Sequence, residues 1–254
     1  MKYIKKFDRH ADYEAYINGG GAVLPNVSYC VDLNEVHFNK YTPPYDPFNG
    51  HEYVDLGLPS GTLWAKCNVG AETETEYGQY FQWGDTQGYT YDQIGTDKNF
   101  SWSDYKYGAY DSTDTTNYGM TKYNATDGLT TLELSDDAAH VNMGGEWHMP
   151  TQEQIYELIN NIHTSHSLIT KDGVYGMLFT SKYNSNTLFF PFTGYADRAS
   201  VEMLSQETFI WLSEKTSELS FALNLEVGDD DGEIVGVNDR GIRYLGCIIR
   251  GVVG

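Results

Sequence analysis

From residue 176 onward the chain breaks into six short runs, "GMLFTSK", "TLFFPFTGY", "TFIWLSE", "LSFALNLEV", "GEIVGVN" and "RYLGCIIRGVV". Each is apolar or alternating, and each is bounded by turn-forming residues. Runs of this length with β-branched and aromatic residues at period two read as strands, too short to cover an apolar face except by pairing through tight connections. The second half of the chain is therefore expected to be strand-rich. One segment ahead of it has the other period. In "MPTQEQIYELINNI", Pro150 and Thr151 mark a helix start and Glu153 falls in the first turn. Ile155, Leu158, Ile159 and Ile162 then share one face.

Upstream the same grammar recurs. "EYVDLG" and "TLWAKCNVG" read as strands around a Pro59-Ser60-Gly61 turn, and "YGQYFQWG" as another. From about Thr86 to Asp127 the chain is rich in Tyr, Asp, Ser, Thr and Gly with little periodicity, an irregular excursion rather than a second core. The 21 tyrosines and 26 glycines suit short strands, tight loops and contact surfaces. Trp64, Trp83, Trp147 and Trp211 lie in apolar contexts and are expected in the core. Trp102, in "NFSWSDY" with Tyr105 and Tyr107, is expected to be exposed.

Three segments follow. Residues 1–41 carry a short helical pattern in "DRHADYEAYING" and a hairpin pattern, with Val27, Tyr29 and Val31 facing Val36 and Phe38 around Asp32-Leu33-Asn34. They hold too little apolar material for an independent core, so this unit is expected to attach to a partner or to copies of itself, a trimer being the first expectation. Residues 42–50, "YTPPYDPFNG" less its first residue, hold three of the seven prolines and read as a linker. Residues 51–254 read as one domain.

The net charge of −20 argues against nucleic acid and anionic membrane as partners. No run reaches the apolar length of a membrane span. The basic start is interrupted by Asp8, Arg9, Asp12 and Glu14, unlike a secretory signal.

Catalytic and metal signatures are weak. Cys30, Cys67 and Cys247 have no metal or redox spacing and read as buried free thiols. His140 and His148 near Asp136 and Asp137 match no ligand motif, and Ser60 reads as a turn residue. "GDDDGE" (228–233) and "DSTDTTN" (111–117) are acidic loops without the alternating spacing of a calcium loop, so no metal or other cofactor is expected.

The ordered blocks "YVDLGLPSGTLWAKCNVGA", "YGQYFQWGDT", "LSDDAAHVNMGGEWHMPTQEQIYELI" and "FFPFTGY" resemble the Fibrobacter succinogenes major paralogous domain, a family of Bacteroidetes and their phages. The resemblance runs from about Tyr53 to the C-terminus. It implies an α+β, C-type-lectin-like domain: a twisted antiparallel sheet, one or two helices and long irregular loops. In such a fold the ends pair, so that Tyr53–Leu56 would meet Cys247–Val252. The family's closing pattern is changed here, with Leu212 in place of a serine and Gly251 in place of a proline. The leading segment resembles N-terminal modules of Bacteroidetes phage structural proteins.

These resemblances imply a non-enzymatic protein of the virion, a tail or fibre tip or a capsid decoration. It would bind a bacterial surface glycan or protein, and residues 1–41 would join other virion proteins. A bacterial surface adhesin of the same fold is the alternative. A formylglycine-generating type of enzyme is the third reading, set against three cysteines that lie in three separate strand contexts. The face expected to bind is made of Asp197, Arg198, Ser200 and Glu202, then Glu214, Lys215 and Glu218, then Asn238, Asp239, Arg240 and Tyr244. The same region contains Glu, Gln, Met and Lys, which adenine mutagenesis by a diversity-generating retroelement rarely yields, so a fixed face is expected rather than a hypervariable one.

Overall fold

A computed structural model describes residues 3–7, 27–31, 46–229 and 233–254. The chain divides into two compact units, Met1–Asp46 and Pro47–Gly254. In the first, β1 (Tyr3–Phe7) pairs in parallel with β2 (Val27–Val31), from Tyr3 opposite Val27 to Phe7 opposite Val31. The helical pattern after Asp8 and the second hairpin arm at Val36 and Phe38 lie outside the described residues.

The second unit is a mostly-β α+β structure of several small antiparallel sheets with two short helices. The first sheet has the order β13-β4-β3, from β3 (Tyr53–Asp55), β4 (Leu63–Ala65) and β13 (Val252–Val253). The second joins β5 (Thr164–Lys171), β6 (Val174–Ser181) and β7 (Thr187–Pro191). A two-stranded ribbon follows, β8 (Tyr195–Asp197) with β9 (Ser200–Glu202). The third sheet joins β10 (Glu207–Lys215), β11 (Phe221–Asp229) and β12 (Glu233–Ile242). Tyr53–Leu56 does not itself meet the C-terminal segment, because β4 lies between β3 and β13. "YGQYFQWG" makes only single bridges, at Tyr80 and Phe81.

The helices are α1 (Ala138–Met143) and α2 (Gln152–Ile159). Thr151 caps α2 in a reciprocal box, its hydroxyl accepting from Gln154 N–H while the Gln154 side chain accepts from Thr151 N–H. The helix stops at Asn160, before Ile162, which is 69 % exposed instead of sharing the buried face. Helix α1 was not anticipated. It is one and a half turns long, and Asp137 caps it by accepting from His140 N–H at 2.9 Å.

Buried side chains form two clusters. One is centred on Trp64, Tyr80, Phe179, Phe190, Ile210 and Ile248. The other gathers Trp83, Trp147, Trp211 and Phe81 with Tyr105, Tyr107, Met120 and Tyr123. The excursion, expected to be irregular and not a second core, thus supplies part of a buried cluster shared with the rest of the unit. Tyr107 and Trp83 each meet Tyr123 edge-on, at centroid distances of 5.4 and 5.1 Å, and such contacts between aromatics need no secondary-structure period.

Residues 246–253 run through the centre of this unit, every one of them buried. They join no single sheet but touch several edges in turn: Gly246 bridges Ala196, Cys247 bridges Phe81, and Ile248 bridges Ile210. Val69 N–H then donates to Ile249 O, and Ala65 N–H to Gly251 O. Arg250 fastens this thread, wholly buried and without a carboxylate partner among its hydrogen bonds. Its Nε donates to Asn68 Oδ1 (2.9 Å), Nη1 to the carbonyls of Ala65 (3.1 Å) and Lys66 (2.9 Å), and Nη2 to Phe189 O (3.0 Å). The guanidinium lies 4.7 Å from the Phe190 ring centre. Burial lowers its pKa to about 10, so it stays charged at neutral pH.

Pro47–Gly50, expected as the end of a linker, belong to the second unit. Glu146 N–H donates to Pro47 O, Trp147 Nε1 to Phe48 O and Asn49 Nδ2 to Met143 O, and Phe48 stacks on Tyr53 at 4.2 Å. Residues 42–45 lie outside the described residues.

Candidate functional site

The side chains expected to form the binding face separate into three environments. At the tip of the β8–β9 ribbon, Arg198 and Ser200 are exposed and Asp197 is half-buried; Glu202, at the ribbon's other end opposite Tyr195, is also exposed. Arg198 pairs with Asp197 at 3.4 Å, and Ser200 Oγ donates to Glu202 Oε1 at 2.6 Å. The ribbon is bolted to the excursion by two backbone bonds, Phe100 N–H to Arg198 O (2.9 Å) and Arg198 N–H to Phe100 O (2.8 Å).

A second group surrounds a cleft of about 300 Å³, lined by Thr216, Ser217, Glu218, Phe221, Asp239 and Arg240. Asp239 and Arg240 are largely exposed and 4.0 Å apart. Asn238 is turned away, its Nδ2 donating to Glu226 Oε2 at 2.8 Å.

The remaining residues hold the fold together. Both carboxylate oxygens of Glu214 accept from Gln152 N–H at the start of α2, at 3.2 and 3.0 Å. Burial nevertheless raises its pKa. Lys215 is half-buried, its Nζ donating to Thr216 O and its N–H to Thr130 O. Tyr244, expected at the surface, is 9 % exposed, because Trp102 lies across it with centroids 5.1 Å apart. Arg240→Ala is expected to leave the melting temperature unchanged. Tyr244→Ala should cost about 3 kcal/mol, as truncation of a buried aromatic does. Equal melting curves for the two variants would contradict this placement.

The excursion contributes an exposed row of rings that the sequence indicated only through Trp102. Trp102, expected to be exposed, is half-buried, and its neighbours Tyr105 and Tyr107 are 6 % and 7 % exposed. Beyond Trp102 come Tyr110, with ring centres 6.3 Å apart and planes inclined by 32°, and then Tyr118, 6.1 Å from Tyr110 and inclined by 11°. Tyr110 and Tyr118 are 48 % and 40 % exposed.

The loop behind this row is densely hydrogen-bonded. Asp114 accepts from Thr116, Asn117 and Gly119 N–H groups, and Asp111 from Thr113 N–H and Oγ1. These bonds hold both carboxyls below their usual pKa. Gly119, at φ 81°, is required: a Cβ there would lie 1.9 Å from Ala109 O.

A separate polar cluster ties the excursion down. Asp136, 5 % exposed, accepts from Lys106 Nζ (3.1 Å), Lys122 Nζ (2.5 Å) and Tyr123 OH (2.7 Å). Burial would raise its pKa, but these donors outweigh burial and hold it well below the carboxylate range. Arg243, fully buried, donates to Tyr123 O at 2.9 Å and lies 4.7 Å from the Trp83 ring centre.

The weaker sequence candidates have structural partners. Asp137 also accepts from Met149 N–H at 2.8 Å, and His140 and His148 contact the carbonyls of Trp147 and Met149. Ser60 N–H and Oγ both donate to Glu157, joining its turn to α2. Cys67 is half-buried beside a cleft of about 610 Å³ and Cys247 is buried; both are free thiols, and burial pushes both pKa values up, away from an activated thiolate. The Cys30 side chain lies outside the described residues.

Among the described residues no cluster of His, Cys, Asp and Glu could hold a metal ion. Residues 230–232 of "GDDDGE" are outside them. Chelation is expected to leave the melting temperature unchanged, and a fall of many degrees on adding EDTA would reveal a cation site.

No family model matches this chain, and neither does any curated protein or solved structure.

Proposed function

We propose that this chain is a non-enzymatic recognition protein of a phage particle, with a C-type-lectin-like second unit that binds a bacterial surface glycan or protein. The observation that carries the reading is a partly exposed, hydrogen-bonded surface held over a deeply buried scaffold. The Trp102–Tyr110–Tyr118 row and the Asp197–Arg198 ribbon tip are joined through Phe100, and the Glu218–Asp239–Arg240 cleft offers further exposed charge. Rigid aromatic and charged side chains on well-anchored loops bind with little loss of conformational entropy. The sequence resemblance to a lectin-like family supplies the fold part of the proposal. The division at Asp46 and Pro47 is consistent with a front unit that attaches and a second that displays.

The test is the composition of purified particles of a phage encoding this chain, with adsorption measured in the presence of antibody against residues 47–254. Presence on the particle and blocked adsorption are expected. Absence of the chain from the particle would sink the reading.

A further inference from the structure

We infer that the Trp102–Tyr110–Tyr118 row is the ligand platform of this surface and that its ligand is an uncharged saccharide chain; the inference rests on the recognition reading above. Three observations converge. First, the ring planes are similarly inclined. Stacked rings in contact lie about 3.5–4 Å apart, so a centroid distance of 6.1 Å at 11° means that Tyr110 and Tyr118 are slid sideways past each other. Part of each face is left open, in accord with their exposures of 48 % and 40 %. Trp102 continues the row at 6.3 Å. Successive open faces suit a ligand made of repeated flat units with apolar C–H faces. A cation is held instead by faces that converge on one point.

Second, Tyr118 sits at φ 52°, a conformation rare for a bulky residue. Its N–H donates to Asp114 O and its carbonyl accepts from Asp111 N–H, both at 2.9 Å, so the hydrogen-bonded loop holds this backbone while the residue stays 40 % exposed. Strain of this kind clusters at functional sites, but it does not single out an exposed ring here, since Tyr123 has φ 56° and is wholly buried; the exposure of Tyr118 is the distinguishing observation.

Third, the polar rim is acidic. Asp104 and Asp111 are exposed beside the row and Asp197 lies on the adjoining ribbon; the cations there, Lys98 on the Asp104 carbonyl at 3.0 Å and Arg198 paired with Asp197, leave a net negative rim on a chain that carries −20. Carboxylates accept hydrogen bonds from sugar hydroxyls but repel uronate or phosphate groups. The ligand class is thereby narrowed to neutral sugars.

The full chain would be tested on immobilised neutral oligosaccharides (gluco-, manno- and N-acetylglucosamine series), on polygalacturonate, and on a lysine-rich peptide. Retention on at least one neutral series and none on polygalacturonate is expected. Tyr110→Ala and Tyr118→Asn should each weaken it about tenfold. The asparagine tolerates the left-handed backbone, and both rings lie at the surface, so folding is preserved. Trp102→Ala should lose retention as well, though its contact with Tyr244 makes it the less clean variant. Retention on no neutral series, retention on the peptide alone, or unchanged retention of the Tyr110→Ala/Tyr118→Asn double variant would each overturn the platform. Failure of the platform would leave the chain on the particle and adsorption still blocked by antibody. Failure of the recognition reading would remove those two results.

Discussion

Arg250→Ala is expected to unfold the second unit or to lower its urea midpoint by more than half. Removing the guanidinium takes the donor from four acceptors, Asn68 Oδ1 and the carbonyls of Ala65 and Phe189, which are buried, and that of Lys66, which is part-buried. Each orphaned acceptor costs about 1–3 kcal/mol. The total is comparable with the whole stability of a domain, about 5–15 kcal/mol. Arg250→Lys should recover only part of the loss, because an ammonium cannot reach four acceptors arranged around a planar fork. Urea titration of the purified variants provides the measurement. A melting temperature for Arg250→Ala within a few degrees of the parent would refute the fastening role.

Asp136→Asn should release the excursion while leaving the sheets paired. The carboxylate is nearly buried and takes donors from Lys106, Lys122 and Tyr123; Glu133, also paired with Lys122, is the other acid at the cluster. Removing one partner of a buried charge cluster costs about 3 kcal/mol. Hydrogen exchange should therefore rise between residues 105 and 136 more than in β10 or β11.

The pH dependence follows from the sign of the shift. The folded pKa of Asp136 is depressed, so its stabilisation is fully present above the unfolded aspartate pKa and is lost as pH falls towards the folded value. The stability gap between the parent and Asp136→Asn should be widest at neutral pH and shrink steadily below about pH 4. A gap that is constant down to pH 2 would show that the carboxylate charge contributes nothing.

What could be read in advance was what has a local period. The strands at "TLFFP", "TFIWLSE" and "FALNLEV" announce themselves as short apolar or alternating runs with bounding turns, and α2 by its spacing and cap. Strand β5, "TSHSLITK", carries no such signal: only one of its eight residues is buried, and serine and histidine break the alternation. "RYLGCIIRGVV" looked like an ordinary strand. Its apolar run records burial on all sides, and only Val252 and Val253 enter a ladder.

The binding face shows the same limit. Arg198, between β8 and β9, is recognisable as a charged turn residue, whereas Arg240, read as part of a connection, lies within β12. Nothing local distinguishes Glu214, which caps a helix sixty residues earlier in the chain, from an exposed glutamate, or Tyr244 beneath Trp102 from a contact tyrosine. Tyr110 and Tyr118 form a row only because a glycine-dependent loop brings together residues eight positions apart.

The buried course of residues 246–253 has a consequence for how the protein is made. During synthesis, residues 47–245 leave the ribosome before the thread that Ala65, Val69, Phe81, Ala196 and Ile210 are built to enclose. Until it arrives, those edges lie open and the two aromatic clusters have a vacant seam between them. The nascent chain must wait with unpaired strands at its surface, the condition under which neighbouring chains on one messenger entangle. A product that ends short of residue 246 would lack every one of these pairings and leave the edges of Ala65, Val69, Phe81, Ala196 and Ile210 exposed to other chains.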